Sequence, residues 1–93
     1  MRTYKKKIFN IMEEVVEDNL NSIIESGKID FCTCDKCLND IAAIALNSLR
    51  PKYVSTSEGA VIARIEKLKD QLNVDIYEKL VLAIETVKKN PHH

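Results

Sequence analysis

Three cysteines, Cys32, Cys34 and Cys37, fall within six residues. An odd number so closely spaced is not a disulfide framework. Thiolates at this density suit a metal, and zinc takes four nitrogen or sulfur ligands in a tetrahedral structural site. Cys34 and Cys37 have the x-x spacing of a zinc knuckle, in which backbone N–H groups point at the first sulfur and stabilise its charge. Cys32 can close the triangle from the same loop. The fourth ligand is open among His93, His92, Asp35, a water and a residue of a second chain, with His93 the expected one. A structural role fits better than a catalytic one. The nearest ionisable groups, Asp30, Asp35, Lys36 and Asp40, read as solvated charges rather than as an acid or base beside an open metal position. Two other readings exist. The thiols can be reduced cysteines, one or two packed as small apolar groups. A Cys34–Cys37 redox pair would need a βαβ context that the flanking sequence lacks.

The elements that must position this cluster are helical. Ile8, Ile11, Met12, Val15, Val16, Leu20, Ile23 and Ile24 recur in steps of three and four, which predicts a first helix from roughly Lys5 to Ser26. Gly27 suits its C-terminal cap. Residues 28–37 form the cysteine loop. Leu38, Ile41, Ala42, Ile44, Ala45, Leu46 and Leu49 predict a second helix, apolar nearly all round and hence central and buried, stopped at about Leu49 by Pro51. A polar loop over 50–59 follows. Ser57 is placed to cap a third helix carrying Val61, Ile62, Ile65, Leu68 and Leu72, with a short strand over 61–65 as the alternative. Asn73 is placed to cap a fourth, carrying Ile76, Leu80, Val81, Ala83, Ile84 and Val87 and ending at Asn90-Pro91. The expected fold is all-α: one domain over residues 1–93, a compact bundle of four helices. Its parts are a long N-terminal helix (1–27), the cysteine loop between helices 1 and 2 (28–37) and core helices (38–93).

Composition agrees with a helical chain: 45% hydrophobic, 30% charged, 5% aromatic, with two glycines and two prolines among 93 residues. Fourteen basic and fourteen acidic residues cancel, which disfavours a basic nucleic-acid binder. No apolar run approaches the roughly 18 residues of a membrane span. The basic start, Arg2 with Lys5, Lys6 and Lys7, is followed by Glu13 and Glu14 rather than by the apolar core of a secretory signal. The expected location is the cytoplasm. No nucleophile–base pair, P-loop, His-Glu-x-x-His or glycine-rich phosphate turn is present, and an enzyme is not expected.

Cys37-Leu38-Asn39-Asp40, the run from Ala45-Leu46-Asn47 through Leu49-Arg50-Pro51-Lys52-Tyr53-Val54, and the closing Asn90-Pro91-His92-His93 together resemble the late competence development protein ComFB family. The family pattern is a Cys-x-Cys-x-x-Cys cluster, then Ala-Leu-Asn-x-Leu-x-Pro-x-Tyr-Val, a nearby Gly and a closing Asn-Pro-Arg-His. The resemblance covers Cys32 to His93. It implies a small, mostly helical homodimer, a structural zinc site in the cysteine-bearing members, an association with natural competence and, in some members, reception of cyclic dinucleotides. Two departures stand out. His92 replaces the usual Arg, and the cluster supplies only three thiolates.

Under that resemblance Arg50, Lys52, Tyr53 and Thr56 become candidate ligand-binding residues. A cyclic dinucleotide presents two phosphates and two purine faces. Arginine can serve both, by bidentate contact and by stacking, and Tyr53 offers a stacking face. Without such a ligand the same loop is a helix connection whose hydroxyls cap the next helix and whose tyrosine packs on the core. Two functions are expected: a homodimeric, zinc-bearing cyclic dinucleotide receptor that signals to an unknown protein partner or, alternatively, a zinc-stapled interaction module with no small ligand. Solvent-open Arg50 and Tyr53 favour the first.

Overall fold

In a computed structural model, residues 3–55 and 59–90 are described. The chain runs β1 (Phe9–Asn10), α1 (Ile11–Ser26), α2 (Asp35–Asn47), β2 (Tyr53–Val54) and α3 (Gly59–Lys89). β1 and β2 pair antiparallel, Phe9 opposite Val54 and Asn10 opposite Tyr53. The fold is therefore mostly helical, with three helices and a small two-stranded ribbon among the described residues rather than a bundle of four helices.

The fourth helix disappears because nothing breaks the third. Between Ala60 and Lys89 there is neither Gly nor Pro. A mid-helix asparagine costs only about half a kcal/mol relative to alanine. Asn73 does not cap a new helix; its Oδ1 accepts from Asn19 Nδ2 at 3.1 Å and ties α3 to α1. The alternative strand over 61–65 is helix as well, while the Ser57 cap lies outside the described residues. At 31 residues α3 is about 46 Å long and spans most of the molecule's 50 Å longest dimension.

α1 starts at Ile11, not Lys5. Asn10 has extended backbone and its side chain accepts from Met12 N–H at 3.1 Å, an N-cap. Residues 9 and 10 go to the ribbon instead, and Ile8 is exposed rather than part of the core stripe. The far end is as expected: Gly27 takes the left-handed conformation (φ 64°) and its N–H reaches Ile24 O at 3.3 Å.

α2 begins at Asp35, three residues earlier than expected, and ends at Asn47. It is not buried all round. Cys37, Ile41 and Ala45 form its inward stripe, whereas Ala43 and Ile44 are exposed. The core lies where this stripe meets Met12, Val15, Val16, Leu20 and Ile23 of α1 and Ile76, Leu80, Ala83, Ile84 and Val87 of α3. No helix among the described residues is long and apolar enough to cross a membrane.

Candidate functional site

The cysteine loop is held at its end by α2. Cys34 is the N-cap, with its Sγ accepting from Cys37 N–H at 3.4 Å and its carbonyl accepting from Leu38 N–H at 3.0 Å. Cys37 then falls in the first turn and points inward, 1% exposed, against Ile41 and the core. Cys32 and Cys34 are exposed. The three sulfurs lie within 4.8 Å of one another. A zinc ion bound at about 2.3 Å to each would hold them roughly 3.8 Å apart. The donor set therefore fits a thiophilic metal with a small inward adjustment, and the metal would staple an otherwise short, irregular loop to α2.

The thiols differ in acidity. The Cys37 N–H, then the neighbouring Cys32 thiol, hold Cys34 below its ordinary 9.0. Burial, then the crowding of Cys32 and Cys34, pushes Cys37 up to about 12. The helix terminus thus favours the thiolate at Cys34, the cap, and not at Cys37 as its place in a helix start suggests. Negative sulfurs brought this close repel each other, and a cation at their centre removes that penalty.

Cys32 and Cys37 also line a cavity of about 470 Å³ whose opposite wall is Ile84, Val87 and Lys88 of α3. The last turn of α3 therefore passes beside the cluster. His92 and His93 lie outside the described residues.

The polar loop is organised by a residue that sequence reasoning placed inside helix 1. Asn10 Oδ1 accepts from Lys52 N–H at 2.8 Å as well as from Met12 N–H, and Ile11 N–H donates to Lys52 O at 2.7 Å. One asparagine thus caps α1 and clamps the loop. Its signal was present in the sequence: Asn10 directly precedes Ile11 and Met12, where the buried run begins, and Glu13 follows three residues later. Arg50, Lys52 and Tyr53 are all exposed, Tyr53 by 58%. Tyr53 therefore does not pack on the core. Thr56 lies outside the described residues. The ribbon and the cysteine loop sit at opposite ends of α1, whose 16 residues separate them by about 24 Å. The structure brings the three cysteines together and places Arg50, Lys52 and Tyr53 elsewhere.

Comparison with known proteins agrees with this architecture. A model of the family described as late competence development protein ComFB matches residues 9–91. A curated relative, competence protein ComFB of Bacillus subtilis (strain 168), is 30% identical over 60 residues, 64% of this chain. The match spans 61% of that relative's length. The solved structure of the late competence protein ComFB from Bacillus subtilis superposes with a TM-score of 0.73 at 26% identity, covering 91% of this chain and 92% of that one.

Proposed function

The chain belongs to the late competence development protein ComFB family, and on that premise we propose that it is a non-enzymatic, competence-associated regulator: a zinc-stapled cytoplasmic homodimer that receives a cyclic dinucleotide. The observation that carries the receptor reading is the solvent-open Arg50–Lys52–Tyr53 segment on a backbone clamped by Asn10. A rigid backbone lowers the entropy lost when a ligand orders its side chains. Arg50 and Lys52 would take the phosphates, Tyr53 a purine face, and Thr56 a further phosphate oxygen. Cys32, Cys34 and Cys37 would hold zinc, with His93 as fourth ligand. When bound, the zinc supplies structure, tying the loop to α2. From Asn90, three residues can reach about 10 Å, and the last turn of α3 lines the same cavity as Cys32 and Cys37.

A second reading, an interaction module with a structural zinc and no small ligand, is favoured by the exposed apolar side chains Tyr4, Phe9, Tyr77 and Leu82. Calorimetric titration separates the two. Metal-replete protein is titrated with cyclic-di-GMP and with cyclic-di-AMP, beside an Arg50→Ala variant. Saturable heat with one nucleotide, weakened at least about tenfold in the variant, is the expected result. A folded, zinc-loaded sample that gives no heat with either nucleotide overturns the receptor and leaves the interaction module.

A further inference from the structure

The charges of this chain cancel in number and not in place. Residues 1–12 and 41–57 carry six of the fourteen basic residues and none of the fourteen acidic ones. The ribbon brings the two stretches together: β1 pairs with β2, and Ile11 N–H donates to Lys52 O at 2.7 Å. Lys5, Lys6 and Lys7 precede β1, and Lys7 lies at most about 10 Å of chain from Asn10. Arg50 and Lys52 precede β2. All five cations are exposed, and among the described residues none has an ion-pair partner. The acids begin only beyond the ribbon, at Glu13 and Glu14 on the first turn of α1. Apolar side chains are interleaved with the cations. Tyr4 is 80% exposed and Tyr53 58%, while Ile8, beside Lys7, is 38% exposed. Register sets Phe9 on the same face of the ribbon as Val54, which packs on the core, and leaves Tyr53 on the outer face.

We infer that this end of the molecule docks on an anionic lipid bilayer, with the five cations against the headgroups and Tyr4 and Tyr53 in the interfacial layer. Stable anchoring without a spanning helix takes two signals, and a polybasic patch beside exposed aromatic side chains supplies both. Tyrosine suits the boundary because its ring is apolar and its hydroxyl stays wet. Charge placement favours a lipid surface over a nucleic acid. A polyanion that runs past the ribbon meets the rest of the chain, where the other eight basic residues share space with all fourteen acidic ones. A bilayer meets the basic end alone, and the uneven charge turns that end toward it. Four of the five cations are lysines, point charges without the planar fork of arginine. Ile8 offers no ring for a base to stack on but gains from leaving water. The lipid contact stands independently of the nucleotide reading, since Lys5, Lys6 and Lys7 lie outside that proposed site.

The test is flotation of the full-length protein with phosphatidylcholine vesicles, with and without about one-third phosphatidylglycerol. At physiological ionic strength the protein floats with the anionic vesicles and not with the neutral ones. Salt at about 1 M, where screening shortens to about 3 Å, releases it. A variant with Lys5→Gln, Lys6→Gln and Lys7→Gln together binds about a hundredfold more weakly, at about fivefold per lysine. Lys52→Gln costs about fivefold, because the ribbon holds that cation at the same end. Tyr4→Ser also costs about fivefold, through lost interfacial area. All the variants keep the wild-type circular dichroism, and the triple variant keeps the wild type's response to cyclic dinucleotides, whichever that is. No flotation with anionic vesicles, or equal flotation with neutral ones, overturns the lipid contact. So does a triple variant that binds like wild type. Wild-type binding by Lys52→Gln overturns the part assigned to the ribbon. A single-stranded oligonucleotide of about a dozen nucleotides that strips the protein from vesicles at matched phosphate overturns the lipid in favour of nucleic acid.

Discussion

At the residue scale, the three thiols are unequal. Cys37 is both a candidate metal ligand and a core residue. A serine there removes a thiolate and leaves a hydroxyl in an apolar site, at a cost of about 1–3 kcal/mol before any metal is considered. Cys32→Ser, at an exposed position, should lose zinc with little change in the chelated protein. Zinc stoichiometry and urea midpoints with and without chelator distinguish the two. Acidity adds a second expectation. With its folded value near 12 against an ordinary 9.0, Cys37 is protonated at neutral pH, so zinc binding must release its proton. Calorimetry in buffers of different ionisation enthalpy should detect at least one proton released per zinc, and the affinity should fall on acidification. The raised value also means that the metal-free fold binds the Cys37 proton more tightly than the unfolded chain does. Its contribution is intact below about pH 9 and is lost as pH rises from there toward 12. Cys37→Ser should flatten alkaline unfolding of the chelated protein in that window. The composition and spacing of these residues were legible in the sequence. Which sulfur caps the helix was not, because that depends on where α2 begins.

At the element scale, two asparagines changed roles. Asn10 serves Met12 N–H and Lys52 N–H at once. Asn10→Ala should therefore destabilise the protein by about 1–2 kcal/mol, more than a lost cap alone commonly costs, and loosen the 50–54 loop. Hydrogen exchange at the Lys52 amide checks the second part. Asn73 was read as a helix start and is a helix interior that bonds to Asn19. Val74→Pro decides between these roles. Proline is welcome at the first position after a cap but costs roughly 3 kcal/mol or more inside a continuous helix. The structure requires the large loss, measured as a fall in the denaturation midpoint. Helix periodicity was readable throughout α3 from the apolar spacing. Its continuity was readable only as permitted, since no Gly or Pro interrupts residues 60–89; an asparagine favours a cap and tolerates an interior, and the bond to Asn19 goes with the interior role.

At the scale of the whole molecule, α1 sets the distance between the metal cluster at one end and the clamped ribbon at the other. Sites about 24 Å apart with no shared partners should behave independently. Combining Arg50→Ala with Cys32→Ser should give effects on stability that add to within about 0.5 kcal/mol. A larger departure would mean that the helix transmits strain between its ends. The sequence by itself determined the mostly helical character of the fold, the family, the core stripe of helix 1 from Ile11 to Ile23, the Gly27 stop and the cysteine cluster. All of these are written in local spacing, where residues three and four apart share a helix face and thiols two and three apart share a loop. Tertiary structure decided the rest: the ribbon that takes residues 9 and 10 out of helix 1, the union of two helices into α3, the one-sided burial of α2 and the solvent exposure of Tyr53. Each of these depends on a partner more than forty residues away along the chain or on packing between helices. Such pairings are set by which backbone and side-chain groups find each other on folding, and local periodicity carries no record of them.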